Sequence, residues 1–219
     1  MAADINASEM ETALAGEVLF FGLLGEMIYT YPDPKTKTRE WMKELLEDDI
    51  FVESPFAGDQ EQVQEGMRLL QSWVEASRQR PLDEVMVDLQ ADNTNLFAVL
   101  NNLLAPPWES VYFNEKRLLN QEQMLDVRKW YQHYGLVNRK LYQEADDHIG
   151  LELIFTGYLA DQALKAKAKG DEAKYEELVK AQHDFLNNHL LLWGGLWCDQ
   201  VLKYAKTDYY RGLATAVKG

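Results

Sequence analysis

A chain of 219 residues with 47% hydrophobic and 26% charged side chains has ordinary globular composition, is long enough to bury one large core, and is unlike disordered or fibrous chains. Its formal charge of −14 argues against a nucleic-acid partner, because phosphate binding needs Lys and Arg to replace condensed counterions, and favours a basic ligand. The single cysteine, Cys198, excludes an internal disulfide and a thiolate metal cluster and suits a reducing compartment. Residues 1–100 hold 20 acidic and 7 basic side chains against 16 and 15 in residues 101–219, so the N-terminal half makes most of the negative field. No Lys or Arg precedes Lys35, which leaves no basic n-region for a secretory leader. The most apolar stretches, Val18 to Gly25 and Leu190 to Cys198, read as too short to span a bilayer. The expectation is a soluble, cytoplasmic protein without stable membrane insertion.

Helical periodicity runs through the whole chain. Ser8 with Glu11 forms a capping-box pattern, and Met10, Leu14, Val18, Phe21, Leu24 and Ile28 recur at three- and four-residue spacing until Tyr31-Pro-Asp-Pro stops the run. A second helix is predicted from about Thr38 to Asp48, and a third opens at Asp59 with Val63, Met67, Leu70 and Val74 on one face. Pro81 suits the first turn of a fourth, which continues to Leu100 with Asn93 as the one polar interruption of its stripe. Pro106 and Pro107 break the pattern between Asn101 and Leu119. Helical spacing resumes at Asn120 and ends at Gly135, in the position of a C-terminal glycine. Further helices are predicted from about Asp146 to Lys169, Asp171 to Asn188, Leu190 to Lys206 and Asp208 to Val217. The sum is an all-α, irregular bundle of about nine helices in a single domain, 1–219, which the loop 101–119 and the connection 135–145 roughly divide into halves.

Two segments stand out chemically. Glu144-Ala-Asp-Asp-His148 opens a strongly periodic helix, and Glu144, His148 and Glu152 share a face if that helix begins early enough, an arrangement suited to a metal or an acid–base pair. None of His133, His148, His183 or His189 has a Glu three residues before it, as a helical di-iron site needs, so no metal is assigned. The simpler reading is an N-cap with first-turn acids facing the helix dipole. Ala105-Pro-Pro-Trp-Glu-Ser-Val-Tyr112 is a stiff segment presenting Trp108 and Tyr112 around Glu109, suited to binding a peptide or to filling the core. No nucleophile elbow, phosphate-cradling glycine loop or His-Glu-x-x-His occurs, so no catalytic residue is assigned.

Together and in this order, these segments resemble the signature of the TorD/DmsD family of redox-enzyme maturation chaperones. Leu96-Phe97 followed by Pro106-Pro107-Trp108-Glu109-Ser110-Val111-Tyr112 is similar to the family's Leu-Phe, spacer and Pro-Pro-Trp/Tyr-x-Ser-Val-Tyr/Trp, and Glu144-Ala145-Asp146-Asp147-His148 to its Glu-Pro-x-Asp-His. Phe185 to Trp193 resembles its His-Leu-x-x-Trp region, and Tyr209-Tyr210-Arg211-Gly212-Leu213 its Phe-Tyr-Arg-x-Leu ending. Ala145 in place of proline and Asn93 in place of an aromatic depart from the pattern. The resemblance implies a cytoplasmic chaperone, not an enzyme, that binds the twin-arginine leader, and by extension the body, of a molybdopterin-dependent reductase before export. It implies no cofactor beyond weak guanine-nucleotide binding, and a monomer or a domain-swapped homodimer. By the same resemblance the leader meets Trp108, Glu109, Tyr112, Glu144, Asp146, Asp147 and His148, while Pro106, Pro107, Ser110, Tyr210 and Arg211 are structural. A twin-arginine leader carries two guanidiniums ahead of an apolar stretch, so its receptor needs carboxylates beside an aromatic-lined groove.

Overall fold

The structure, a computed structural model, describes residues 7–47, 61–98, 104–114, 118–119, 121–140 and 143–219. Among these residues the elements are α1 (Ala7–Tyr29), α2 (Thr38–Glu47), α3 (Glu61–Arg78), α4 (Leu82–Phe97), a 3-10 turn (Glu109–Val111), α5 (Glu122–His133), α6 (Ile149–Ala168), α7 (Glu172–Asn188), α8 (Leu190–Tyr204) and α9 (Asp208–Lys218), with no strand. The fold is all-α, as the periodicity implies. The Ser8 capping side chain, the Asp59 helix start, Leu100 and Asn120 lie outside the described residues.

The chain forms two compact units, one from residues 1–29 with 108–192 and one from residues 30–107 with 193–219. One division, between Pro107 and Trp108, falls inside the predicted 101–119 loop, whereas the 135–145 connection lies wholly within the first unit.

The first unit is organised by α1 against α6. A Cβ on Gly25 would stand 2.6 Å from the Gly150 carbonyl oxygen, and one on Gly150 would stand 2.7 Å from the Gly25 carbonyl oxygen, so the backbones touch where side chains would otherwise separate them. Leu14 of α1 joins Phe155, Leu159, Ala160 and Ala163 of α6, Val127 and Tyr131 of α5, and Leu178 and Phe185 of α7 in one buried cluster. The Glu9–Tyr29 stretch of α1 is long and apolar enough to cross a membrane by length and composition, contrary to the shorter stretch expected from the sequence. Its apolarity has a local cause, since Leu24, Met27 and Ile28 are buried. Gly135 (φ 71°) and Gly170 (φ 73°) end α5 and α6 in the left-handed region, and Asp171 caps α7 by accepting from the Lys174 N–H at 3.1 Å.

In the second unit α3 lies against α9, and the tightest approach is at Gly66, where a Cβ would fall 2.4 Å from the Ala216 nitrogen. Asp92 is buried and accepts from the Lys206 N–H (2.9 Å), the Thr207 N–H (2.7 Å) and the Thr207 hydroxyl (2.8 Å), tying α4 to the start of α9. Asn93 donates to the Tyr210 hydroxyl at 2.8 Å, which accounts for the polar residue in an apolar stripe and joins two of the singled-out positions. Burial raises the Tyr210 phenol further from ionisation. Arg211 pairs with Asp208 at 3.1 Å on the surface, while Pro106 and Pro107 are buried. Pro81 is the N-cap of α4, one position earlier than expected.

Helix contact at Gly25 makes a direct prediction. Gly25→Ala is expected to destabilise the protein by about 1–3 kcal/mol or more through backbone overpacking, despite its better helix propensity. Gly195→Ala on α8, where an added Cβ meets nothing within 4 Å, is expected to stabilise by up to about 1 kcal/mol. Urea midpoints of the two variants and the parent check both signs.

Candidate functional site

The two singled-out segments meet inside the first unit. Trp108 and His148 form an isolated antiparallel bridge, the Glu109 N–H donates to the Asp147 carbonyl at 3.0 Å, and the Ser110 N–H donates to Asp147 Oδ2 at 2.8 Å. Consecutive N–H groups at the start of a helical turn have no partner within it, and Asp147 answers two of them with its backbone and its side chain. The carboxyl is fully buried, and burial raises its pKa while the Ser110 hydrogen bonds pull it down. This clasp explains why α6 begins at Ile149 and not near Asp146: residues held in a bridge cannot also be helical. The two aspartates therefore precede the helix, and Glu144, His148 and Glu152 do not share a helical face.

His148 is itself the N-cap. Its Nδ1 accepts from the Gly150 N–H at 3.0 Å, which puts the ring proton of the neutral imidazole on Nε2. Edge-to-face contacts with Tyr29 (5.2 Å) and Trp108 (6.2 Å) enclose it. Burial and the nearby Lys140 charge lower its pKa to about 3, so it is neutral. Asp146 is 1% exposed, takes the Arg128 Nε at 2.5 Å on Oδ2, and its carbonyl accepts from the Tyr131 hydroxyl at 3.1 Å. Tyr131 is raised well above its ordinary value, first by burial and then by the carboxylates of Glu152, Asp146, Asp147 and Glu109. Outside this buried layer, Trp108 and Glu144 are partly exposed and joined by a 2.7 Å hydrogen bond from the indole N–H.

Glu109, only 1% exposed, points to a partner that sequence reading did not find. Its Oε2 lies 2.9 Å from Nδ1 of His189, which is 3% exposed, and His189 Nε2 lies 3.4 Å from Asp126 Oδ2. Arg128, Tyr131 and Tyr29 are the other contributors missed from the sequence. Trp108, Glu109, Ser110, Glu144, Asp146, Asp147 and His148 are thus brought together, Tyr112 sits partly buried just beyond the 3-10 turn, and Tyr210 and Arg211 belong to the second unit. Among the described residues no group of three or more His, Cys, Asp or Glu side chains is arranged to hold a metal ion.

His148 carries a pH signature. Its folded pKa lies below the unfolded value of 6.5, so as pH falls through 6.5 toward about 3 the unfolded chain takes up a proton that the folded one refuses, and stability is lost. Asp147, with a raised folded pKa, contributes the opposite sign, and the His148→Gln variant leaves that contribution in place. The parent is therefore expected to lose stability relative to His148→Gln by up to about 1.4 kcal/mol per pH unit on acidification below about pH 6.5. Urea unfolding of both proteins across that range measures it; parallel pH profiles would contradict the buried, neutral histidine.

The family model described as nitrate reductase delta subunit matches residues 57–199. Chaperone protein TorD of Photobacterium profundum is 31% identical over 156 residues, covering 71% of this chain and 70% of that protein. Chaperone protein TorD of Aliivibrio fischeri is 27% identical over 58% of each chain. The probable Tat proofreading chaperone DmsD of Haemophilus influenzae is 29% identical over 54% of this chain and 51% of its own. A model match across most of the chain, together with identity to TorD over more than two thirds of both sequences, shows that this chain belongs to the nitrate reductase delta subunit family, in its TorD/DmsD group, and is a chaperone and not an enzyme.

Proposed function

We propose that this chaperone is system-specific and cytoplasmic, and that it binds the twin-arginine signal peptide of a molybdopterin-dependent oxidoreductase of the DMSO or TMAO reductase type, assisting cofactor loading and folding before export. The observation that carries the reading is the clasp between the Trp108–Ser110 and Asp147–His148 segments, which fixes aromatic and acidic side chains on one patch of the first unit. In this reading Trp108, Tyr112 and Glu144, each partly exposed, contact the leader. Glu109, Asp146, Asp147 and His148 are buried and act as positioning residues that hold the contacting side chains in place. The protein's acidity supports the reading, since a net charge of −14 draws a cationic peptide toward the surface.

Titration calorimetry with a synthetic twin-arginine leader tests it. Binding in the micromolar range or tighter is expected, weakening as salt rises, and at least about tenfold weaker for a leader with Lys-Lys in place of Arg-Arg. A scrambled or Lys-Lys leader binding as well as the native one would remove the charge-recognition part of the proposal. Absence of binding by any twin-arginine leader would remove the proposal itself.

A further inference from the structure

One feature of the first unit lies outside the clasp. A cleft of about 450 Å³ opens between the 3-10 turn, α5 and the α7–α8 junction, with Glu122 and Asp126 on its rim and His189 in its wall. His189 is only 3% exposed, and its Nε2 makes no hydrogen bond among the described residues. The nearest carboxylate oxygen, Asp126 Oδ2, stands 3.4 Å away, beyond ordinary N–H···O length. Nδ1 faces the Glu109 carboxylate at 2.9 Å, so one edge of the ring is held in the protein while the Nε2 edge and Asp126 stand together at the cleft. A guanidinium carries parallel N–H donors that meet carboxylate oxygens side by side, and an ammonium, a compact point charge, matches such an acidic rim less well.

The rest of the cleft fits the same ligand. Glu122 has no ion pair among the described residues, whereas Asp126 shares its charge with Lys129 at 3.4 Å, so the rim keeps an excess of negative charge. Beside it stand Phe113, 44% exposed, Leu125, 48%, and Leu192, 54%, three apolar side chains around one acidic rim. An arginine followed by apolar residues pairs with both parts: guanidinium on the acidic rim, apolar stem and neighbours on the wall.

We infer that this cleft is the seat of a guanidinium, and that the arginine of a bound leader enters it, with Glu122 and Asp126 as its receivers and His189 behind Asp126 as a positioning residue. The inference rests on the leader-binding reading proposed above. It adds a location distinct from the Trp108–Glu144 patch and receiving residues not assigned from the sequence.

The test compares the parent chain with Glu122→Gln/Asp126→Asn, two surface substitutions that keep side-chain size, by calorimetry with Arg-Arg and Lys-Lys leader peptides. Both proteins are first matched in urea midpoint. The double variant is expected to bind the Arg-Arg leader about tenfold more weakly or worse, to leave Lys-Lys binding within about twofold, and so to lose most of the preference between them. Unchanged Arg-Arg affinity in the variant, with the parent binding normally, overturns the seat and leaves the leader reading standing. An equal loss for both peptides also overturns it, because a general acidic field would then account for the effect. A parent that binds neither peptide overturns the leader reading, and the seat with it.

Discussion

A buried carboxylate residue receiving two successive backbone N–H groups is the interaction on which the first unit's surface depends. Asp147 takes the Glu109 N–H on its carbonyl and the Ser110 N–H on its side chain, and in doing so sets where the Pro-Pro-Trp segment runs and where α6 begins. An exposed aspartate could make the same bonds and gain little, because water would compete. Inside the protein, loss of such a partner leaves buried donors unsatisfied at a cost of about 1–3 kcal/mol each, so the loop is held strongly to the helix start. Gly25 and Gly150 complete the arrangement by letting α1 approach the first turn of α6 closely enough to lay Tyr29 against His148.

Acidity in this protein has two layers with different physics. Glu109, Asp146, Asp147 and Glu152 are buried; Arg128 pairs with Asp146, His189 lies against Glu109, and backbone N–H groups bond Asp147. Such groups specify geometry more than they attract ligands, since their desolvation offsets much of the pairing energy. Glu122, Asp126 and Glu144, by contrast, retain contact with solvent and can exchange water for a ligand's donors. A motif rich in acids thus divides labour: the inner acids build the support, and in the proposed reading the outer ones meet the partner.

Much of the fold was legible because its signals are local. Gly135 and Gly170 end α5 and α6 as their positions suggest, Asp171 caps α7, and the 3.6-residue stripes locate the helices to within a few residues. The start of α6 was misplaced because the Asp147 pairing overrides the helical propensity of residues 146–148. That the Trp108 and His148 segments belong together came only from family resemblance, since nothing in their spacing demands it. The Glu109–His189 pair, separated by 80 residues, has no local signal at all, and burial of the acids could not be read from a pattern that suits an exposed cap equally well. Asn93 is the reverse case: read as a departure from the family pattern, it proves to be a donor to Tyr210, 117 residues away.

Everything functional in this account turns on a twin-arginine leader binding the first unit, on the face organised by the clasp. Amide hydrogen exchange of the full chain, with and without a saturating leader peptide, tests that claim most directly. Slower exchange is predicted in peptides covering residues 108–114, 121–129 and 188–192, with little change in residues 61–78 and 208–218 of the second unit. Protection confined to residues 61–78 and 208–218, or unchanged exchange throughout with the peptide bound, would contradict it.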